Sequence, residues 1–411
     1  MNDNLNILLV AYYYPPPHGA GTGRPEFMAR ALRERGHEVT VLTRSYSGDK
    51  WEVETVRVHD PSYNCHRRGW RFAVWLARRL WVETADSLGS TQTILCAWYR
   101  RALRAGRQWV DENSPNLVMA TYPPAETLTL GVELAKYAGC PLVADFRDGL
   151  VFEPVEGVLP RRFPQIQRKY LELETDVLDA ATGVMAAHPA LADYLKDRAP
   201  GKRVLWMPNG FDPRLMVPES PQAGRAGFHL VHTGRFGLSD PGCDPSLLVR
   251  AMAEMSPGKP PFCLHLVGKL SRRERRLFRP LERSGRARVH GSVPLEVSRA
   301  WQVHADGLLL AVSPARPSVI PGKLLEYLPM RAPILALAPP GAAAGIVSEC
   351  GRGWVADPRD PGAIETALTE MISGKKPPGK RDEAAIARFA HPGLARELEA
   401  FLKGIVNTGK G

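Results

Sequence analysis

The feature that most constrains this chain is a series of short apolar runs, each closed by a turn signal and followed by a helical pattern. Residues 6–12, NILLVAY, lack the polar alternation of a half-exposed strand and read as one buried on both faces. A Pro/Gly-rich loop, YPPPHGAGTGR, comes next. It leads to PEFMARALRERGH, apolar at helical spacing and ended by Gly36, and then to a second buried run, EVTVLT. Strand, loop, helix and strand in that order predict a βαβ unit and therefore a parallel sheet. Similar runs predict strands at 116–122, 141–146, 183–188 and 203–210.

A polar stretch, RLMVPESPQAGRAG, then interrupts the pattern and reads as a linker. A second strand series begins at FHLVHTGRFG and continues through FCLHLVGKL, RVHGSVP, ADGLLLAV, APILALA and GWVAD. At roughly 150 residues per domain, 411 residues suit two large domains. The expected fold class is α/β, with two Rossmann-like domains facing across a cleft. The expected boundaries are 1–211, a linker at 212–227, 228–385, and a terminal helix and tail at 386–411 whose last residues, from 404, fray. Open parallel sheets bind ligands beyond the carboxyl ends of their strands, where the strand order reverses. The candidate residues are sought there.

Composition narrows the partners. With 54 Lys+Arg against 43 Asp+Glu, the formal charge of +11 suits an anionic substrate, an acidic membrane surface or nucleic acid. The six cysteines show no CxxC or other ligand spacing and read as reduced core thiols in a cytoplasmic protein. The N-terminus has no signal-peptide pattern, and no stretch reaches the roughly 18 apolar residues that span a bilayer. There is no DxD and no His/Cys/Asp cluster at metal spacing, so neither a catalytic metal nor a cofactor is expected.

One charged pair stands out in SVIPGKLLEYLPMRAPILAL. Lys323 and Glu326 are three residues apart and share a helix face near its start, where a phosphate and a sugar hydroxyl could both be held. The alternative is an ordinary solvated ion pair.

Taken in order, PPPHGAGTGRP with GHEVTVLT, VADFRDGL, MPNGFDP, HTGRFG, and IPGKLLEYLPMRAPILAL with GRGWVADPRDPGAI resemble the family-4-type retaining glycosyltransferases of the B fold. The resemblance covers nearly the whole chain and is nearest to bacterial enzymes of surface-polysaccharide assembly. It implies an N-terminal acceptor-binding domain and a C-terminal sugar-nucleotide domain. It also implies that Glu326 accepts hydrogen bonds from the donor ribose, a role for an ionised carboxylate. Family members commonly carry a second glutamate eight residues earlier, on the donor sugar. Ser318 stands there, with the N–H groups of Val319 and Ile320 as candidate substitutes.

Arg235 of HTGRFG matches the family's diphosphate arginine, and a guanidinium fork suits phosphate oxygens. The lysine that usually follows is missing, so Lys323, or alternatively Lys269, is expected to supply the second charge. The loop with Gly19, Gly21 and Gly23 would close over the diphosphate and donor sugar. Its GxGxG spacing, and the absence of an acidic residue after the second strand, fit an NAD site poorly. In DFRDGL, Asp145, Arg147 and Asp148 fall at a strand's carboxyl end, to bind hydroxyls or, for Asp148, to cap a helix. His188 and His18 have similar positions and read as structural or as ligand contacts.

Residues 66–108 hold nine arginines against Glu83 and Asp86, interleaved with Trp70, Trp75, Trp81 and Trp98. Two readings remain: peripheral docking at the inner membrane with a lipid-linked acceptor, or core tryptophans under a solvated arginine face. Nucleic-acid binding is not expected, because no recognition module accompanies the charge. The chain is therefore expected to transfer a sugar from a nucleoside diphosphate to a carbohydrate or lipid-linked acceptor in polysaccharide or glycoconjugate assembly. The alternatives are a soluble secondary-metabolite acceptor and a sugar-nucleotide-binding scaffold without turnover.

Overall fold

A computed structural model describes residues 4–16, 21–46, 54–61, 96–153, 164–214, 227–237, 242–255 and 261–408. The chain divides into two compact units: residues 1–208 with 394–411, and residues 209–393.

Among the described residues, unit 1 is built on seven parallel strands, β1 (Asn6–Val10), β2 (Glu38–Arg44), β3 (Thr55–Val58), β4 (Leu117–Tyr122), β5 (Leu142–Phe146), β6 (Gly183–Ala186) and β7 (Arg203–Trp206). They lie in the order β3-β2-β1-β4-β5-β6-β7, reversing between β1 and β4. Its helices among the described residues are α1 (Gly23–Arg33), α2 (Cys96–Asn113), α3 (Ala125–Ala138), α4 (Pro164–Ala180) and α5 (Pro189–Arg198). The strands are apolar at consecutive positions because both faces are covered. Leu8, Val10, Val118 and Ala144 pack with α2 and α3 on one side, while Ile7, Leu9, Met119 and Val143 pack with α1 on the other.

Among the described residues, unit 2 repeats the plan with six parallel strands, β8 (Phe228–Thr233), β9 (Phe262–Val267), β10 (Ala287–Gly291), β11 (Gly307–Ala311), β12 (Ile334–Leu337) and β13 (Gly353–Ala356). Their order is β10-β9-β8-β11-β12-β13, reversing between β8 and β11. The helices are α6 (Ser246–Glu254), α7 (Arg272–Arg283), α8 (Leu295–Val303), α9 (Gly322–Tyr327), α10 (Ala342–Glu349), α11 (Pro361–Ile372) and α12 (Glu383–Ala387). Two doubly wound parallel sheets were expected, and two are present.

Three details differ from the expectation. The edge strand β3 is short and carries Arg57 in half-exposed surroundings, so it gave no apolar run to read. The terminal pattern is broken at Arg388–Ala390, where Ala390 bridges Phe211, and the last helix, α13 (His391–Thr408), starts with Pro392 in its first turn. Helix α13 continues to Thr408 rather than fraying from 404, because Leu394, Leu398, Phe401, Leu402, Ile405 and Val406 are buried in the core of unit 1. Gly183 on β6 makes room for it; a Cβ there would stand 2.6 Å from Ile405 Cδ1.

Candidate functional site

The candidate site is built where β8 ends, at the reversal of strand order in unit 2. β8 runs into Gly234, whose φ of +89° is left-handed, and then into Arg235. Gly268, at the end of β9, has its Cα so close that a Cβ would lie 1.8 Å from the Gly234 carbonyl oxygen. Two glycines are thus needed for this turn to form. Arg235 is exposed and makes no ion pair among the described residues.

Helix α9 brings Lys323 and Glu326 to the same turn, and the two do not pair with each other. Lys323 Nζ donates to the Arg235 carbonyl oxygen at 2.8 Å and lies 3.4 Å from His232 Nε2. His232 is buried and stacked on Phe236 with ring centroids 3.9 Å apart, and its Nδ1 lies 3.0 Å from the Leu309 carbonyl oxygen. That contact assigns the ring proton to Nδ1 and leaves Nε2 to accept. Burial, then the nearby lysine, pushes the His232 pKa well down, so the ring is neutral. Burial also lowers Lys323 to about 8. An ammonium short of solvent and of counter-ions is suited to an anionic ligand. With only six residues, α9 contributes little dipole of its own, so the positive charge here comes from side chains.

Glu326 takes a different direction. Its Oε2 accepts from Gln302 Nε2 at 3.1 Å, and that nitrogen also donates to Thr233 Oγ1 at 3.0 Å. The Tyr327 hydroxyl accepts from the Thr233 N–H at 3.0 Å and lies 3.0 Å from Thr233 Oγ1. Burial raises the Glu326 pKa, opposed by the Gln302 hydrogen bond and by the charges of Arg299 and Lys323. Oε2 is held by Gln302, and Oε1 has no hydrogen-bond partner among the described residues. Behind it, Arg352 donates to the carbonyls of Leu328, Met330 and Ala332 and so pins the chain leaving α9. Gln302, Thr233, His232, Tyr327 and Arg352 were not legible as site residues from the sequence. Each is an ordinary residue whose partner lies 20 to 94 positions away.

Other expected contacts divide. The Val319 N–H is already given to the Arg316 carbonyl at 3.2 Å, so it is not an open donor for a sugar. Ser318 and Ile320 lie on the same approach to α9, and Lys269 is exposed just after β9. Gly19 and His18 lie outside the described residues.

In unit 1, Asp145 is fully buried. Arg24 donates to both its oxygens, at 2.6 to 3.1 Å, and Thr121 Oγ1 adds a bond of 2.7 Å. It is a structural anchor with no capacity left for a substrate hydroxyl. Arg147 is likewise buried and donates to the carbonyls of Gly21 and Pro123. Gly21 itself rests on the Tyr13 ring, with space for a Cβ only at 3.4 Å from Cγ. Asp148 is partly exposed and caps nothing, since no helix begins in 147–153. His188 is buried at the start of α5 and reads as structural.

Residues 24–210 match the family described as "Glycosyl transferase 4-like domain". The match covers most of unit 1. No curated protein matches the chain by sequence. The fold of the whole chain is similar to that of Anabaena HepE, solved with UDP and glucose, at 17% identity and a TM-score of 0.64 over 98% of this chain and 100% of that one. It is also similar to the lipopolysaccharide outer core galactosyltransferase WaaB (13%, TM-score 0.59, 97% and 100% covered). WaaG, a glycosyltransferase involved in lipopolysaccharide biosynthesis, gives 16%, 0.56, and 97% and 99%. At such identities the likeness establishes the fold, which is the B fold of glycosyltransferases. In unit 1, Gly21 and Asp148 stand at the carboxyl edge of the sheet, while Arg235, Lys323 and Glu326 all belong to unit 2.

Within 66–108, residues 66–95 are not described, so Trp70, Trp75 and Trp81 lie outside the described residues. Trp98 is fully buried edge-on against Tyr12, and Arg100, Arg101, Arg104 and Arg107 face outward on α2. For this part of the segment, the tryptophan belongs to the core. No helix among the described residues is long and apolar enough to cross a membrane.

Proposed function

We propose that the chain is a retaining glycosyltransferase that uses a nucleoside-diphosphate sugar, with Arg235 and Lys323 on the diphosphate and Glu326 on the ribose. The observation that carries this reading is the divergence of the α9 pair: Lys323 turns to the Gly234–Arg235 turn while Glu326 is held by Gln302. A cation and an acceptor pair one helical turn apart match a diphosphate joined to a ribose. In the proposed reaction the bond between the anomeric carbon and the phosphate oxygen breaks and the acceptor oxygen bonds to that carbon on the same face. The acceptor proton passes to the departing phosphate. Charge growing on the diphosphate is stabilised by Arg235 and Lys323, and Asp148 is the candidate for acceptor hydroxyls in unit 1.

The acceptor class proposed is a carbohydrate or lipid-linked hydroxyl in polysaccharide or glycoconjugate assembly, reached from the cytoplasmic side. Support for the pathway comes from the proteins of like fold, and UDP-glucose, bound in one HepE structure, is the first donor to try. The test is diphosphate release from a panel of sugar nucleotides with and without acceptor, with product stereochemistry read by NMR. Turnover that retains the anomeric configuration and survives EDTA is expected. Binding without release would favour the scaffold reading, which the serine at 318 motivates, and inversion would contradict the mechanism.

A further inference from the structure

Helix α7 reads RRERRLFRPLER and turns Glu274, Phe278 and Leu281 inward. Arg272, Arg276, Arg279 and Arg283 stand at i, i+4, i+7 and i+11, a stripe within about 60° of arc on the opposite side. All four are exposed, and Lys269, Arg273, Arg275 and Arg288 extend the same charge. The nearby acids do little to neutralise it. Glu274 is occupied by the N–H groups of Ser271 and Gly237, Asp244 pairs with Arg273, and Glu282 is the one exposed acid on the helix. None of the four stripe arginines has an ion pair among the described residues. Like charges at i,i+3 and i,i+4 destabilise a helix, so the stripe works against its own fold unless an anionic surface meets it.

We infer that this face of unit 2 docks on an anionic lipid surface. A straight row of guanidinium groups about 16 Å long suits a plane of lipid phosphates. Nucleic acid fits less well. The one aromatic ring of the helix, Phe278, is fully buried, so no platform is left for stacking bases, and the helix has no Asn or Gln to read them. The inference is independent of the reaction proposed above.

The test is co-sedimentation of the full chain with vesicles of phosphatidylcholine, alone or with roughly a third phosphatidylglycerol. Binding to the anionic vesicles only, weakened by salt, is expected. Replacing the four stripe arginines by glutamine should lower partitioning by about tenfold or more, whereas replacing them by lysine should preserve it. The lysine variant also guards against a folding defect, and replacing Arg100, Arg101, Arg104 and Arg107 of α2 by glutamine should change little. The inference is overturned if the folded wild type ignores anionic vesicles, if the α7 glutamine variant binds as well as wild type, or if the α2 variant is the one that loses binding. It is equally overturned if an RNA oligomer binds more tightly and displaces the vesicles.

Discussion

Lys323 is held with its ammonium against a backbone carbonyl and a neutral imidazole, and burial brings its pKa to about 8. A diphosphate favours the protonated form, so affinity is full below that pKa and falls as the pH rises through it and above. Glu326 has the opposite sign: its raised pKa means that the ribose-accepting carboxylate is lost as the pH falls through that value. Isothermal titration across pH should therefore give a bell-shaped affinity profile, and Lys323→Ala should remove its alkaline limb. Losing this charged contact should weaken nucleoside-diphosphate binding by about 1.5–3 kcal/mol, roughly 10- to 100-fold.

Gln302→Leu makes a sharper test at this scale. It removes the donor to both Glu326 and Thr233, so it should narrow the preference for a ribonucleotide over its 2′-deoxy analogue and cost about 1–3 kcal/mol of stability. Competition binding with the two nucleotides and urea unfolding would check the two parts. The Lys/Glu spacing was legible because helical geometry is local. Its resolution into two separate contacts was not, because Gln302 and Thr233 enter from other elements.

The elements that carry the site are fixed by close backbone approach as much as by side chains. Gly268 shows this, since no side-chain atom fits between it and the Gly234 carbonyl. Gly268→Ala should force β8 and β9 apart at the turn carrying Arg235, lowering the melting temperature and abolishing nucleotide affinity together. Arg352 acts on the other side of the site, gathering three carbonyls beyond α9. The strands themselves were readable because runs such as LLLA and ILAL must be apolar on both faces. β3 was not, since an edge strand has no such requirement. Asp145 looked available from DFRD alone; only its burial with Arg24 and Thr121 shows that it is spent on the core.

At the scale of the molecule, the two strand series correspond to the two units, but the end of the chain belongs to the first unit rather than the second. Six buried side chains of α13 hold it there. At about 1.5–3 kcal/mol for each fully buried large apolar side chain, their loss is on the order of 10 kcal/mol, comparable to the whole stability of a domain. Truncation after Ala390 should therefore leave unit 1 unable to fold, seen as loss of its cooperative transition in calorimetry. Sequence could place a terminal helix pattern from about 386 but not its partner, because an amphipathic stripe does not name the face it covers.

The central claim, a nucleoside-diphosphate site on unit 2, is tested most directly by thermal shift with UDP, GDP, dTDP, ADP and CMP on the wild type, Arg235→Ala and Glu326→Ala. A ligand at about 100 times its dissociation constant adds roughly 2.7 kcal/mol of stability. One diphosphate should stabilise the wild type, CMP should not, and both variants should lose the shift. A wild type unmoved by every nucleotide, or variants that shift as it does, would contradict the account.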